Sequence, residues 1–190
     1  MFSQTCFGHF LKVKQLVYSA QILSHLVMRI TEVRGYKRND KVLFEICGKL
    51  VSFSIEDTAL IMDLRCDGDT NEKLWKTKES KHIDLTYFAD NNILKRQSIK
   101  IVFDFVSAQN DEDRVKVALL YLLASGLLTN SHGVHLPRFY VDLVDDLESF
   151  NKYPQGKLLW DEMSEQIRLC AGNEVKKEKR VNHYNMFPMV

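Results

Sequence analysis

The chain has 190 residues, of which 45% are hydrophobic and 27% are charged, with eight glycines and three prolines. This composition is ordinary for a globular protein and excludes a disordered or fibrous chain. The formal net charge of +1 excludes a strong overall field that would attract nucleic acid or an anionic membrane. The most apolar run, Val117 to Leu128, is too short for a membrane span, which needs about 20 residues.

The N-terminal third predicts a helix and then a β-hairpin. Apolar residues recur at spacings of three and four from Leu16 to Ile30, and Ser19 is the candidate N-cap. Residues 42–53 alternate around Gly48-Lys49, which predicts a two-residue turn there. That turn would place Ile46 opposite Val51 and Phe44 opposite Phe53, with both pairs on one face.

The hairpin leads directly into a short helix. Ser54 and Asp57 have nearly the spacing of a capping box, which predicts a helix over residues 55–64 with Ala59, Leu60 and Leu64 turned inward. Residues 70–81 are highly charged and are predicted to form a surface loop, which Trp75 could anchor to the core.

Further helices are predicted in the second half. Residues 93–106 fit both a helix and a strand, and we favour the helix. Residues 111–128 give the clearest helical pattern, and Pro137 suits the first turn of a helix to about Phe150. A loop over 151–156 then precedes a last helix over 158–170. The predicted core comprises Leu23, Val27, Phe44, Phe53, Leu60, Leu119, Leu122, Leu123, Leu143, Leu147, Leu159 and Trp160.

Together these patterns predict a mainly α fold, a helical domain with one inserted β-hairpin. We expect residues 1–171 to form a single domain and residues 172–190 to form a charged flexible tail.

Four segments carry a resemblance to a known family: residues 5–8, 44–54, 113–128 and 143–160. They resemble a plant domain of unknown function that lies ahead of a ubiquitin-like (SUMO-type) cysteine protease domain in Mutator-type, transposon-derived proteins. The resemblance covers about residues 2–171, and Phe53 to Leu60 also looks like the plant mobile domain. It implies a plant, transposon-derived setting and no assigned activity.

Two positions depart from the family pattern. The family shows Pro-Trp-Gly where this chain has Pro154-Gln155-Gly156, and Thr-Gly-Leu where it has Met62-Asp63-Leu64. Because Asp63 replaces the glycine of Thr-Gly-Leu, we predict that the short helix before it ends differently from that of the family.

No catalytic set is apparent in the sequence, and we predict that the chain is not an enzyme. The Asp-Cys-Gly of the SUMO-type protease does not occur, and Cys47-Gly48 lies in the predicted hairpin with no base placed beside it. Cys6-x-x-His9 and His132-x-x-His135 are the only ligand-like pairs, and zinc needs four ligands. We therefore predict no metal and no cofactor, and we interpret the acidic runs 111–113 and 142–148 as helix starts and solvated faces.

Basic residues are interleaved with acids, which favours solvated loops over one phosphate-binding surface. Lys95, Arg96 and Lys100 remain candidate nucleic-acid contacts, and Lys176, Lys177, Lys179 and Arg180 match a nuclear import signal. The main hypothesis is a non-catalytic module that binds an unknown protein partner in the nucleus, with the cytoplasm less favoured and no membrane association. The alternatives are a nucleic-acid-binding module and a truncated transposon relic without function.

Overall fold

The computed structural model describes residues 1–14, 19–31, 40–75, 81–88, 94–106, 110–128 and 135–174. Over these ranges the chain is mainly helical and contains a β-hairpin, which confirms the predicted fold class. The chain divides into two compact units, a first of Met1–Lys14 with Gly68–Tyr153 and a second of Gln15–Asp67 with Pro154–Val190. The assignment of residues 1–171 to one domain stays a prediction, and residues 175–190 of the predicted tail lie outside the described ranges.

Eight α-helices and four strands are numbered here in chain order within the described ranges. They are α1 (Ala20–Val27), β1 (Lys41–Ile46), β2 (Lys49–Ser54), α2 (Ile55–Met62), α3 (Glu72–Trp75), β3 (Leu94–Lys95), α4 (Arg96–Phe105), α5 (Asp111–Leu122), β4 (His135–Leu136), α6 (Arg138–Asp145), α7 (Leu147–Lys152) and α8 (Gln155–Glu174). Short 3-10 segments occupy Phe2–Gln4 and Gly8–Lys12, and π-helical turns occupy Asp84–Phe88 and Leu123–Leu127. None of the helices in these ranges is long and apolar enough to cross a membrane.

The second unit is built around the hairpin and α8. Its buried cluster brings Val42 and Phe44 of β1 together with Trp160, Met163 and Ile167 of α8. Trp160 is 1% exposed, and its ring centroid lies 5.9 Å from that of Phe53. Burial of these large side chains supplies the main stabilisation of this unit.

The hairpin turn falls one residue earlier than the alternation of the sequence predicts. Cys47 and Gly48 form it, and both have positive φ, 52° and 72°, as a type I′ turn requires. The strands therefore pair Ile46 with Lys49 and Phe44 with Val51, so the predicted register is wrong by two residues. A shift of two keeps every side chain on its face, which is why the predicted faces hold although the partners change.

A full capping box begins α2, as predicted. The Ser54 Oγ accepts from the Asp57 amide at 3.2 Å, and Asp57 Oδ2 accepts from the Ser54 amide at 2.8 Å. Leu64 is buried, but Leu60 is 82% exposed, so its placement in the core is wrong. The periodicity of this short helix fixed its buried face only loosely: Thr58 is buried instead, and α2 packs against α8.

The first unit packs α4, α5, α6 and α7 with the N-terminal 3-10 segments. Its core includes Phe7, Leu119, Leu120, Leu143 and Phe150, each 0% exposed. Residues 96–105 are helical, which confirms the favoured helix, and the two-residue strands β3 and β4 form a small antiparallel pair that the sequence did not predict.

Three other predicted boundaries are corrected. The helix from Pro137 stops at Asp145, because Asp146 takes an extended conformation and caps α7 through its side chain. The predicted loop over 151–156 shrinks, since α8 starts at Gln155 directly after Pro154. The predicted surface loop 70–81 contains α3, and Trp75 donates from Nε1 to the Asp69 carbonyl at 2.7 Å.

Candidate functional site

An apolar groove of about 620 Å³ opens on the first unit. The N-terminal 3-10 segments form one wall, and helices α4 and α5 form the other. The lining residues are Met1, Phe2, Phe10, Leu11, Phe103, Asp111, Arg114, Val115, Ala118 and Leu122. Leu11 is 66% exposed and Met1 57%, so apolar surface of the groove is in contact with water.

The local structure of α4 and α5 explains this apolar wall. Phe103 of α4 stacks on Tyr121 of α5, with ring centroids 5.3 Å apart and an interplanar angle of 11°. Asn110 caps α5 by accepting from the Asp113 amide at 3.2 Å. This start places Asp111 and Arg114 in the groove lining, so a carboxylate and a guanidinium lie among its apolar side chains.

A network of buried charges lies elsewhere in the first unit. Asp84, Asp113, Lys116 and Asp145 are each at most 8% exposed. Charged side chains are almost never fully buried unless they are paired. The network therefore marks a built feature, and it joins residues 82–88 to α5 and α6.

Asp113 is the first centre of this network. Its Oδ2 accepts from the Tyr87 hydroxyl at 2.8 Å and lies 3.1 Å from His82 Nε2. Burial, together with this carboxylate, raises the pKa of Tyr87, so the phenol stays a protonated donor at neutral pH. The Thr86 hydroxyl lies 3.3 Å from Nδ1 of the same imidazole.

Asp145 is the second centre. Its carboxylate accepts from the Ile83 amide at 3.2 and 3.3 Å and lies 3.9 Å from Lys116 Nζ. Lys116 also pairs with Glu112, one turn earlier on α5, at 2.7 Å. The ammonium therefore stands between two carboxylates, one buried and one half in solvent.

Arg138 holds the end of the same segment. Its guanidinium donates to Asp84 Oδ2 at 2.8 Å and to the Phe88 carbonyl at 2.9 Å. Burial raises the pKa of the nearby Asp142, with the carboxylates of Asp84 and Asp145 adding to the rise. Through these bonds the network fixes residues 82–88 in place, and we interpret it as structural.

The candidate nucleic-acid contacts lie at the start of α4 and just before it. Lys95 lies on β3, and Arg96 and Lys100 lie one turn apart on α4, which puts them on the same face of that helix. All three are exposed. The candidate import residues Lys176, Lys177, Lys179 and Arg180 lie outside the described ranges.

The ligand-like pair Cys6 and His9 lies in the N-terminal segment. Burial raises the pKa of Cys6 to about 12, so its sulfur is a protonated thiol at neutral pH. His9 packs on Phe10, with ring centroids 4.2 Å apart. Among the described residues no group of three His, Cys, Asp or Glu side chains could hold a metal ion. His132, from the other pair, lies outside them.

The acidic runs are only partly the solvated faces that the sequence predicts. Asp146 caps α7, as expected for a helix start. Asp113 and Asp145 are instead buried partners of His82, Tyr87 and Lys116. No local pattern could have indicated this burial, because their partners are 26 or more residues away along the chain.

Over the described residues the chain is mainly helical, with a β-hairpin in its second unit and an apolar groove on its first. The family model described as Domain of unknown function (DUF1985) matches residues 31–166. The chain belongs to this family. Comparison with curated proteins found no match, and comparison with solved structures found none either.

Proposed function

We propose that this chain is a non-catalytic interaction module that binds a protein partner through the apolar groove of its first unit. The groove carries the proposal, because a concave surface lined mostly by apolar side chains with a few polar groups is the usual form of a binding site. Leu11 and Met1 are more than half exposed, although a folded chain gains by burying such side chains.

The proposed partner segment is an amphipathic helix. A groove between helices and a short segment accepts the apolar face of a helix, with anchors spaced three and four residues apart. Asp111 and Arg114 lie one turn apart in the lining, so a helix with a basic and an acidic residue at matching spacing would pair with both.

The proposed setting is the plant nucleus, within a transposon-derived and protease-associated protein. The resemblance of residues 2–171 to the domain ahead of SUMO-type proteases supports this setting, as does the basic run Lys176, Lys177, Lys179 and Arg180. In such a protein the module would position the protease or a linked complex, and the chain itself would do no chemistry.

The test compares two leucine variants of equal exposure. Leu11, in the groove, is 66% exposed, and Leu74, on α3 of the same unit and outside the groove lining, is 67% exposed. Leu11→Asp and Leu74→Asp introduce the same charge, so they differ only in position. Wild type and both variants serve as bait in plant nuclear extract, and retained proteins are quantified.

A protein that binds the groove should be retained equally by wild type and by Leu74→Asp. Its retained amount should fall at least about tenfold with Leu11→Asp, which corresponds to roughly 1.4 kcal/mol of binding free energy. A synthetic peptide covering the helix of that protein must then bind purified wild type and Leu74→Asp with similar affinity and Leu11→Asp more weakly. If no retained protein distinguishes the two variants, the groove is not a protein-binding site.

A second candidate function is nucleic-acid binding by Lys95, Arg96 and Lys100. The observation in its favour is that Arg96 and Lys100 are one turn apart on α4, that Lys95 directly precedes the helix, and that all three are exposed. Each phosphate contact by such a cation releases counterions and adds about one unit to the salt dependence of binding.

Anisotropy of a labelled short DNA duplex tests this candidate at low salt. Reversal of all three charges to Glu should abolish binding, whereas reversal of the exposed Lys12, Lys14 and Lys73 makes the same change in net charge elsewhere on the unit and should spare it. If both triple variants lose DNA affinity equally, the binding depends on net charge alone, and Lys95, Arg96 and Lys100 do not form a nucleic-acid site.

A further inference from the structure

The free edge of the hairpin in the second unit offers a site that the groove hypothesis does not use. Strand β1 is covered on its outer side, because Glu45 donates to the Arg29 carbonyl at 2.8 Å and Leu43 accepts from the Thr31 amide at 2.9 Å. Strand β2 is the opposite edge of this two-stranded sheet.

The register shows which backbone groups of β2 are free. Leu43 and Glu45 direct their N–H and C=O groups away from β2, and their cross-strand partners are Ser52 and Leu50. In an antiparallel sheet the two residues of a non-hydrogen-bonded pair both direct their backbone N–H and C=O groups away from the partner strand. Leu50 and Ser52 therefore present their amides and carbonyls at the open edge, where no described residue pairs with them.

Two neighbouring side chains of this edge are apolar and exposed. Leu50 is 58% exposed and Val51 45%, on opposite faces of the strand. Natural edge strands are commonly blocked by charge or proline, because an open edge templates pairing with another strand. At Leu50 and Val51 neither device is present.

We propose that two copies of this chain pair through β2 in antiparallel fashion, with a two-fold axis at Val51. This register sets Leu50 opposite Ser52 of the second copy and Ser52 opposite Leu50, so that each pair exchanges both hydrogen bonds. The two Val51 side chains meet on one face. The two hairpins become one four-stranded sheet.

The charges along β2 and the topology of the sheet are both compatible with a second copy of the chain at this edge. Lys49 faces Phe53 of the second copy, and the two Lys49 ammonium groups stay four positions apart, so no like charges oppose each other. The assembly also closes, because the outer edge of β1 is already covered by Arg29–Thr31 in each copy. The interface is short, which predicts a weak dimer that forms at high concentration.

Sedimentation equilibrium of the full chain over a wide concentration range tests the proposal. Wild type should approach twice the chain mass of 22.1 kDa at the highest concentrations. Ser52→Pro removes an amide that β1 does not use, so the hairpin should keep its fold while the dimer dissociation constant rises at least about tenfold.

A charge-pair series fixes the register. Val51→Lys and Val51→Glu should each be monomeric, because like charges would meet at the axis, and their mixture should form a heterodimer. Ile22→Lys, on the 62% exposed surface of α1, is the matched control and should dimerise like wild type. Circular dichroism checks that each variant is folded.

Two results would overturn the proposal: a wild-type chain that stays monomeric throughout, or a folded Val51→Lys variant that dimerises like wild type. An extended segment of another protein would pair with the edge of a monomer instead, and a monomeric wild type would point there. These outcomes are independent of the groove, since Leu11→Asp lies in the other unit and should leave dimerisation unchanged.

Discussion

Gly156 lies so close to Cys66 that a side chain on the glycine would collide with the sulfur. A Cβ built at Gly156 would stand 2.5 Å from Cys66 Sγ, 2.9 Å from the Leu64 carbonyl oxygen and 3.0 Å from that of Arg65. The Gly156 amide also donates to the Arg65 carbonyl at 2.8 Å. The first turn of α8 thus rests directly on the backbone that follows α2.

Gly156→Ala should therefore destabilise the chain by about 1–3 kcal/mol, because the neighbouring backbone must move to admit a methyl group. Urea unfolding followed by circular dichroism measures the change. Gly126→Ala is the control: its Cβ would meet only the flexible Leu122 side chain, at 3.1 Å, and the effect should be much smaller. Equal losses would contradict the close approach.

Asp63 ends α2 in the left-handed conformation, with φ 51° and ψ 39°. Glycine adopts this conformation without the steric cost that a Cβ incurs. Asp63→Gly should raise the free energy of unfolding by about 0.5–1 kcal/mol, and Asp63→Ala should lower it. Opposite signs in thermal unfolding are the expected result, and a loss in both variants would show that the Asp63 side chain matters more than its backbone.

Asp145→Ala should be severely destabilising. It leaves the Ile83 amide without its acceptor and the buried Lys116 without one of its carboxylates, a loss of about 3–5 kcal/mol. Asp145→Asn keeps an acceptor oxygen and should lose less. Glu148→Ala, which removes an exposed partner of Lys152, should change stability by no more than about 0.5 kcal/mol.

If Asp145→Ala unfolds at the same urea concentration as Glu148→Ala, the network carries no stability. The double variant Lys116→Met with Asp145→Ala provides a further check. It should be less destabilised than the sum of its single changes, because it removes the buried ammonium that the first change leaves with Glu112 as its only carboxylate partner among those described.

The caps of α2 and α7 predict a loss of stability in acid. Hydrogen bonds from the Ser54 hydroxyl and backbone lower the pKa of Asp57, and those from the Ser149 hydroxyl and the Ser149 and Glu148 amides lower that of Asp146. Because these folded pKa values lie below the unfolded one of about 3.9, their contribution is complete above that pH and is lost as the pH falls through the folded values.

Urea midpoints at pH 7 and at successive steps below pH 4 measure this effect. Asp146→Asn keeps a capping oxygen that does not titrate, so its midpoint should fall less steeply in acid than that of wild type. Parallel curves for the two proteins would show that the Asp146 cap contributes nothing to the acid response.

Local sequence was enough to predict the features that depend on neighbours along the chain. Alternation predicted the hairpin and its faces, and the spacing of Ser54 and Asp57 predicted the start of α2. The apolar period of residues 111–128 predicted the helix that the structure shows as α5 followed by the π-helical turn Leu123–Leu127. Each of these depends on hydrogen bonds or side-chain directions within a few residues. The hairpin register was not predictable in the same way. It depends on the positive φ of Cys47 in the turn, and cysteine has no sequence preference for that conformation.

Which surfaces are covered depended instead on long-range packing. Leu60 and Asp113 illustrate this, because the apolar side chain is 82% exposed and the charged one is 4% exposed. Gln155 is 2% exposed, and its amide has no partner among the described residues. Burial is set by the distant segments that pack together, and the groove between the N-terminal segment and α4 and α5 exists only once that packing has formed.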